Sequence, residues 1–394
     1  MFRTTALTRR SLAIAVGQGI LGGAVAAVML GLMHSLQHAI WSSTDARWLI
    51  PLIILTGGAI LAVLHHWAAD EGLIEQVSDA ADPVSLHRRR TAFMALRGVV
   101  AVGFGGAIGP EASLIAVMGE ISALVTTRVA RNEEEERLIG QTGTSASLGA
   151  LYGAPTGSTL FEPDREEKAA SLANIIAGAV GFISFLLVHD LFSAPGLTLG
   201  LQHVDLSVRD VAASAVAALF GSLLALFYIA VRGPIGALAA KITRPWVRIM
   251  AGTVVFAAMA TAVPQIRFSG HEDVGGVLEL VSAGAWWALL GIALLKMVAT
   301  AINLNTGWLG GDFFPLVLAG SAVGVLACSF LDLPVEAAAV AGMAAAATVG
   351  MRKPTAVFII VVLVSGGVAI PAAIMGTAVG LIFYAITPDP APVH

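Results

Sequence analysis

Apolar runs of about 20 residues follow one another along the chain, each long enough to cross a hydrocarbon core roughly 30 Å thick. The pattern predicts helices at 12–41, 48–68, 91–104, 110–130, 138–151, 170–192, 208–231, 247–263, 284–302, 314–331, 335–349, 354–365 and 369–386. Several are too short to span. The short ones adjoin Gly and Pro: the run 91–104 stops at Gly105-Gly106, and 354–365 starts at Pro354. Charges gather in the connections. Asp70 to Arg90 is a long polar loop, and Arg128 to Arg137 holds Glu133-Glu134-Glu135-Glu136. Glu162 to Lys168 forms a third cluster, and Arg232 to Arg248 a basic one. Each reads as a solvated loop or a membrane-surface anchor. Residues 265–280 make a polar approach to the core of the second half, and Pro388 to His394 form a short tail.

Composition turns this pattern into a fold class. The chain is 57% apolar and 12% charged, with a mean hydropathy of +0.85, whereas soluble domains carry roughly 25% charged residues. An all-α polytopic membrane protein follows. A net charge of −4 without a long basic block gives nucleic acid binding no support. The single Cys328 cannot form an intramolecular disulfide, and no Cys/His cluster suggests a metal. No nucleophile elbow or metalloprotease motif occurs, so neither an enzyme nor a cofactor is expected. Arg3, Arg9 and Arg10 ahead of an apolar run resemble a signal peptide or a twin-arginine signal. The run from Leu12 to about Met33 is longer than a signal core and many more follow, so it reads as the first membrane helix. The positive-inside tendency then puts the N-terminus in the cytoplasm, and the membrane expected is the cell (inner or plasma) membrane.

One motif occurs twice. Gly105-Gly106-Ala107-Ile108-Gly109-Pro110 and Gly310-Gly311-Asp312-Phe313-Phe314-Pro315 each open an apolar helix, their prolines 205 positions apart (315 − 110). A second marker repeats too: Ala154-Pro155-Thr156 and Lys353-Pro354-Thr355 each follow a small-residue helix. Matched broken helices in two halves are the signature of an internally duplicated transporter. The halves are expected at 1–200 and 201–387, with 388–394 as the tail. Irregular backbone at membrane depth survives only where it is buried in protein or lines a cavity. A helix starting there presents N–H groups and the positive end of its dipole, which suit an anion. Glycine allows close approach, and proline suits a first helical turn. The plain alternative is a tight turn between packed helices.

With these residues in order, the chain resembles the CLC chloride channel and chloride/proton antiporter family, as a divergent bacterial-type member, over roughly Leu12 to Tyr384. The family's Gly-x-Phe-x-Pro matches Gly311-Asp312-Phe313-Phe314-Pro315. Its Gly-Lys/Arg-Glu-Gly-Pro matches Gly106-Ala107-Ile108-Gly109-Pro110 in the glycines and proline, and its Asn-Ala-Pro is similar to Gly153-Ala154-Pro155. The resemblance implies inverted halves with broken and re-entrant helices. It further implies a homodimer with one anion pathway per subunit, and a central ion among the backbone amides of Gly106, Ala107, Ile108, Gly109, Pro110 and Glu111 and of Gly311, Asp312, Phe313 and Phe314. The departures are specific. Ile108 stands where the family has its gating glutamate. Glu111 is three places on, about 5 Å along a helix axis; it is either a displaced gate and proton carrier or a first-turn acid that satisfies the dipole or bonds a neighbouring loop. The family's Gly-Ser-Gly-Ile-Pro loop has no counterpart, and Tyr384 does not inherit the ion-contacting tyrosine's role. Glu162 and Asp164 lie near the inner proton-transfer position but out of register. Asp312 stands where an apolar residue is usual; it points away and pairs, stays protonated, or attracts a cation.

The remaining polar residues read more plainly. His34 and His38 share one face of the first helix, and His65-His66-Trp67 marks an interface. His271-Glu272-Asp273 caps a helix, and Glu279 and Lys296 snorkel or pair. The expected function is transport of a small inorganic anion, chloride first. The alternative is a different ion, a cation or a proton-coupled solute, handled by Glu111 and Asp312.

Overall fold

The computed structural model describes residues 8–42, 47–67, 88–154, 172–189, 201, 204–270, 276 and 280–387. Its helices are α1 (Arg9–Trp41), α2 (Leu49–Leu64), α3 (Arg88–Gly103), α4 (Glu111–Val129), α5 (Glu133–Leu151), α6 (Leu172–His189), α7 (Val208–Ala240) and α8 (Pro245–Ala262). Then come α9 (Trp286–Thr306), α10 (Phe313–Gly324), α11 (Val335–Met351), α12 (Pro354–Val364) and α13 (Ile370–Ile386). Short 3₁₀ turns occupy Pro264–Ile266 and Val325–Ser329. Among the described residues, six helices are long and apolar enough to cross a membrane: α1, α4, α6, α7, α8 and α9.

Each predicted helix is present, and the differences lie where charged residues adjoin apolar runs. The acidic cluster before 138 is helix, not loop. Asn132 caps α5 by accepting the Glu135 N–H, and Glu133 to Glu136 form its first turn, where negative charge favours the dipole. The basic stretch after 231 begins as helix as well: α7 continues to Ala240 through Pro234. The apolar run 314–331 divides, with α10 giving way to the 3₁₀ turn at Val325.

The chain forms two compact units. The first comprises Met1–His34, Glu71–Leu96 and Glu111–Ala194. In it α5 packs on α4 and α6, around a core of Ala15, Ala146, Ala173 and Ala177. The helices touch backbone to backbone: a Cβ on Gly22 would lie 2.6 Å from that of Ala146, and one on Gly181 would meet the Ala146 carbonyl. Ser184 donates to the Ile20 carbonyl at 2.9 Å, and Arg10 bonds the Glu135 carboxylate.

The second unit comprises Ser35–Asp70, Arg97–Pro110 and Pro195–His394. Its centre is α11, buried from Ala337 to Val349, with α7, α10 and α13 packed on it. Small side chains let four helices approach one axis. A Cβ on Gly342 would meet the Gly320 carbonyl and stand 2.6 Å from the Gly324 Cα, and one on Gly221 would meet the Gly342 carbonyl. Gly342→Leu is therefore expected to lower stability by about 2–3 kcal/mol. Gly17→Ala, in open space inside α1, should instead add about 0.4–1 kcal/mol. Thermal unfolding in detergent reads both, and a Gly342→Leu protein as stable as the parent would contradict this packing.

Candidate functional site

The two motif loops begin in the same way. After α3 the chain turns at Gly105 (φ 89°), and the Gly106 N–H donates to the Ala101 carbonyl at 2.9 Å. After α9 it turns at Gly307 (φ 106°), and the Trp308 N–H donates to the Asn303 carbonyl at 2.9 Å. Both endings use a left-handed glycine to satisfy last-turn carbonyls. The next helices start at Glu111 and Phe313, six residues beyond each turn glycine. The backbone thus repeats at a spacing of 202 (307 − 105, 313 − 111), not the 205 of the prolines. Pro110 stands just before its helix, whereas Pro315 is the third residue of its own. First-turn N–H groups have no intrahelical partner, so proline is tolerated at several positions there. The position equivalent to Pro110 is Asp312, and Glu111 is equivalent to Phe313.

The loops meet at equivalent residues. Gly109 donates to the Gly311 carbonyl at 2.8 Å, and Gly311 returns a bond to Gly109 at 3.2 Å, as an isolated antiparallel bridge. A Cβ on Gly310 would lie 2.7 Å from the Ile108 Cβ, and one on Gly106 2.8 Å from Trp308 Cε3. The pairs 106/308, 108/310 and 109/311 all differ by 202. Contact between equivalent positions is what a local two-fold relation produces. Ile108, in place of an acid, is fully buried against Gly310.

Buried polar side chains hold the crossing. Thr300 on α9 donates to the Ala107 carbonyl at 2.8 Å. Arg97, buried within α3, donates to the Gly307 carbonyl at 2.9 Å. Trp308 donates through Nε1 to Thr253 at 3.0 Å and meets Phe256 edge-on at 5.6 Å. Lys296 is buried rather than snorkelling. Its ammonium donates to the carbonyls of Ile266, Arg267 and Phe268 at 3.1, 2.9 and 2.6 Å. Phe268 has φ 59° and itself donates to the Gly105 carbonyl at 3.1 Å. Outside this turn, Arg267 stacks over Trp41 at 4.4 Å, and Trp41 Nε1 donates to the Gly103 carbonyl at 3.0 Å.

The two candidate acids have different surroundings. Asp312 precedes α10 without capping it. Its Oδ2 accepts from the Tyr228 hydroxyl at 2.8 Å and from Arg232 Nη1 at 3.1 Å. Glu111 lies in the first unit, fully buried, and accepts from the Tyr152 hydroxyl at 3.3 Å. Tyr152, just past α5, and the Tyr228–Arg232 pair were not among the residues expected from sequence. Arg97 had a visible signal, a lone charge inside an apolar run. Glu162, Asp164, Pro155, His271, Glu272, Asp273 and Glu279 lie outside the described residues.

Removing the ammonium from beneath the three carbonyls exposes their cost. Lys296→Met is expected to destabilise the protein by about 3 kcal/mol or more, since breaking a buried charged network strands its partners. Thermal unfolding in detergent measures it, and an unchanged midpoint would contradict the role.

Comparison with known proteins places this geometry. Residues 71–385 match the family described as voltage gated chloride channel. A chloride/fluoride channel protein of Pseudomonas syringae pv. tomato is 26% identical over 336 residues, covering 79% of this chain and 70% of that protein. A putative ion-transport protein, YfeO, of Escherichia coli O7:K1 is 22% identical over 340 residues, covering 79% and 77%. Among solved structures, a CLC-type fluoride/proton antiporter matches with a TM-score of 0.75 at 18% identity, covering 95% of this chain and 94% of that one. A slow cyanobacterial chloride/proton antiporter matches with a TM-score of 0.78 at 16% identity, covering 98% and 96%. The fold is thus that of a CLC protein, all-α with inverted halves and broken helices, in an integral membrane protein. The chain belongs to the voltage gated chloride channel family.

Proposed function

We propose that the protein carries a small inorganic anion, chloride first, across the cell membrane. The observation that supports this most is the reciprocal pair at Gly109 and Gly311, where two broken-helix loops meet. Irregular backbone in a membrane protein has to line a cavity or be buried in protein, and helix starts favour anions. In this reading the backbone of Gly106, Ala107, Ile108, Gly109 and Pro110, with that of Gly311, Asp312, Phe313 and Phe314, lines the pathway. The duplicated halves are 1–200 and 201–387. The protein works as a homodimer with one pathway per subunit, its N-terminus on the cytoplasmic side with Arg9 and Arg10. Fluoride is the second anion to test, because the Pseudomonas syringae relative is named for both halides.

Ile108 favours conduction without proton coupling, because an alkyl side chain carries no proton. A second reading is favoured by one observation, the full burial of Glu111 beside the Tyr152 hydroxyl; an acid so placed is suited to carry protons. The cation alternative loses support, because the Asp312 carboxylate is engaged by Arg232.

Liposomes loaded with potassium chloride or potassium fluoride, diluted into halide-free buffer with valinomycin, test these readings. Chloride efflux above that of protein-free vesicles is expected. Folded protein that releases neither halide would sink the anion reading. Internal pH is expected to stay flat during efflux. Proton movement driven by the chloride gradient, and lost in Glu111→Gln, would establish the coupled reading instead.

A further inference from the structure

An acid at the start of α10 is out of place beside an anion path. Asp is among the best N-caps, yet Asp312 makes no cap bond. The third residue of α10 is Pro315, which has no N–H to give a capping carboxylate. The side chain is instead engaged by α7. Tyr228 and Arg232 stand one turn apart on that helix and so share a face. They converge on the same oxygen, Oδ2, at 2.8 and 3.1 Å. The guanidinium carbon also lies 5.7 Å from the Tyr228 ring centroid. Tyr228 is buried, and the Asp312 side chain is only 14% exposed. Arg232, 36% exposed, supplies the compensating charge.

We infer that Tyr228 and Arg232 are specificity-determining residues: they bind the Asp312 carboxylate, cancel its charge at the start of α10, and so keep that end of the path selective for anions. The inference rests on the anion reading above. The residues act through Asp312 and not on the ion, so they are positioning residues. Their effect should vanish when Asp312 carries no charge.

A double-variant cycle in liposomes tests this, with chloride efflux read as above and rubidium uptake read in parallel vesicles without valinomycin. Arg232→Met should slow chloride efflux about tenfold and admit rubidium, as expected when a largely buried carboxylate loses its charged partner. The combination of Asp312→Asn with Arg232→Met should return chloride efflux to within about threefold of the parent and abolish rubidium uptake. Tyr228→Phe removes one hydroxyl and keeps the shape. It should slow efflux about threefold with Asp312 present and leave it unchanged with Asp312→Asn, which gives a second cycle should Arg232→Met fail to fold. A double variant as slow as Arg232→Met alone would overturn the inference, since Arg232 would then serve as a strut or as an ion ligand itself. Unaltered selectivity in Arg232→Met would overturn it equally. Parent protein without halide efflux removes the anion reading and the inference together; parent efflux without relief in the double variant removes only the inference.

Discussion

Two hydrogen bonds between Gly109 and Gly311 fix where the two motif loops of the second unit meet. They join loops about 200 residues apart in sequence, and they need both loops to come within backbone contact. Side chains at Gly106 or Gly310 would collide with Trp308 or Ile108 before that distance was reached. Left-handed glycines at 105 and 307 then aim each loop at the other.

Burying irregular backbone leaves carbonyls that need donors, and cations supply them. Arg97 reaches the carbonyl of the left-handed Gly307, and Lys296 spans three consecutive carbonyls ending at Phe268. Phe268 adopts a left-handed conformation that costs a non-glycine residue about 1–2 kcal/mol. The Lys296 bonds and the bond to Gly105 offset that cost. These cations are therefore tied to the turns that end or precede helices, whereas Arg232, like Arg10 in the first unit, answers a carboxylate.

The helices were legible because Gly and Pro interrupt the apolar runs where the chain turns. The loops that form the crossing were legible for the same reason. Charge misled at two places: Glu133 to Glu136 and the residues after Arg232 are helical, since a cap and a dipole stabilise one and α7 simply continues through the other. The partners of the acids were beyond reach of local patterns. Tyr152 lies 41 residues from Glu111, and Tyr228 lies 84 from Asp312. Only tertiary packing brings them together. The register of the repeat was hidden by chemistry that is permissive: proline fits several first-turn positions, so it marks a helix start without fixing it.

That permissiveness has a consequence for comparing the halves. At the second marker the sequence and backbone registers agree, for Gly153 (φ 62°) and Arg352 (φ 58°) are 199 apart, as are Pro155 and Pro354. At the first they disagree by three residues. Superposing the halves on Pro110 and Pro315 would slide α4 against α10 by about 4.5 Å and rotate it by about 60°. Every inward-facing position would then be matched with a neighbour on a different helical stripe. At the first marker the left-handed turn glycines, not the prolines, carry the register of the duplication.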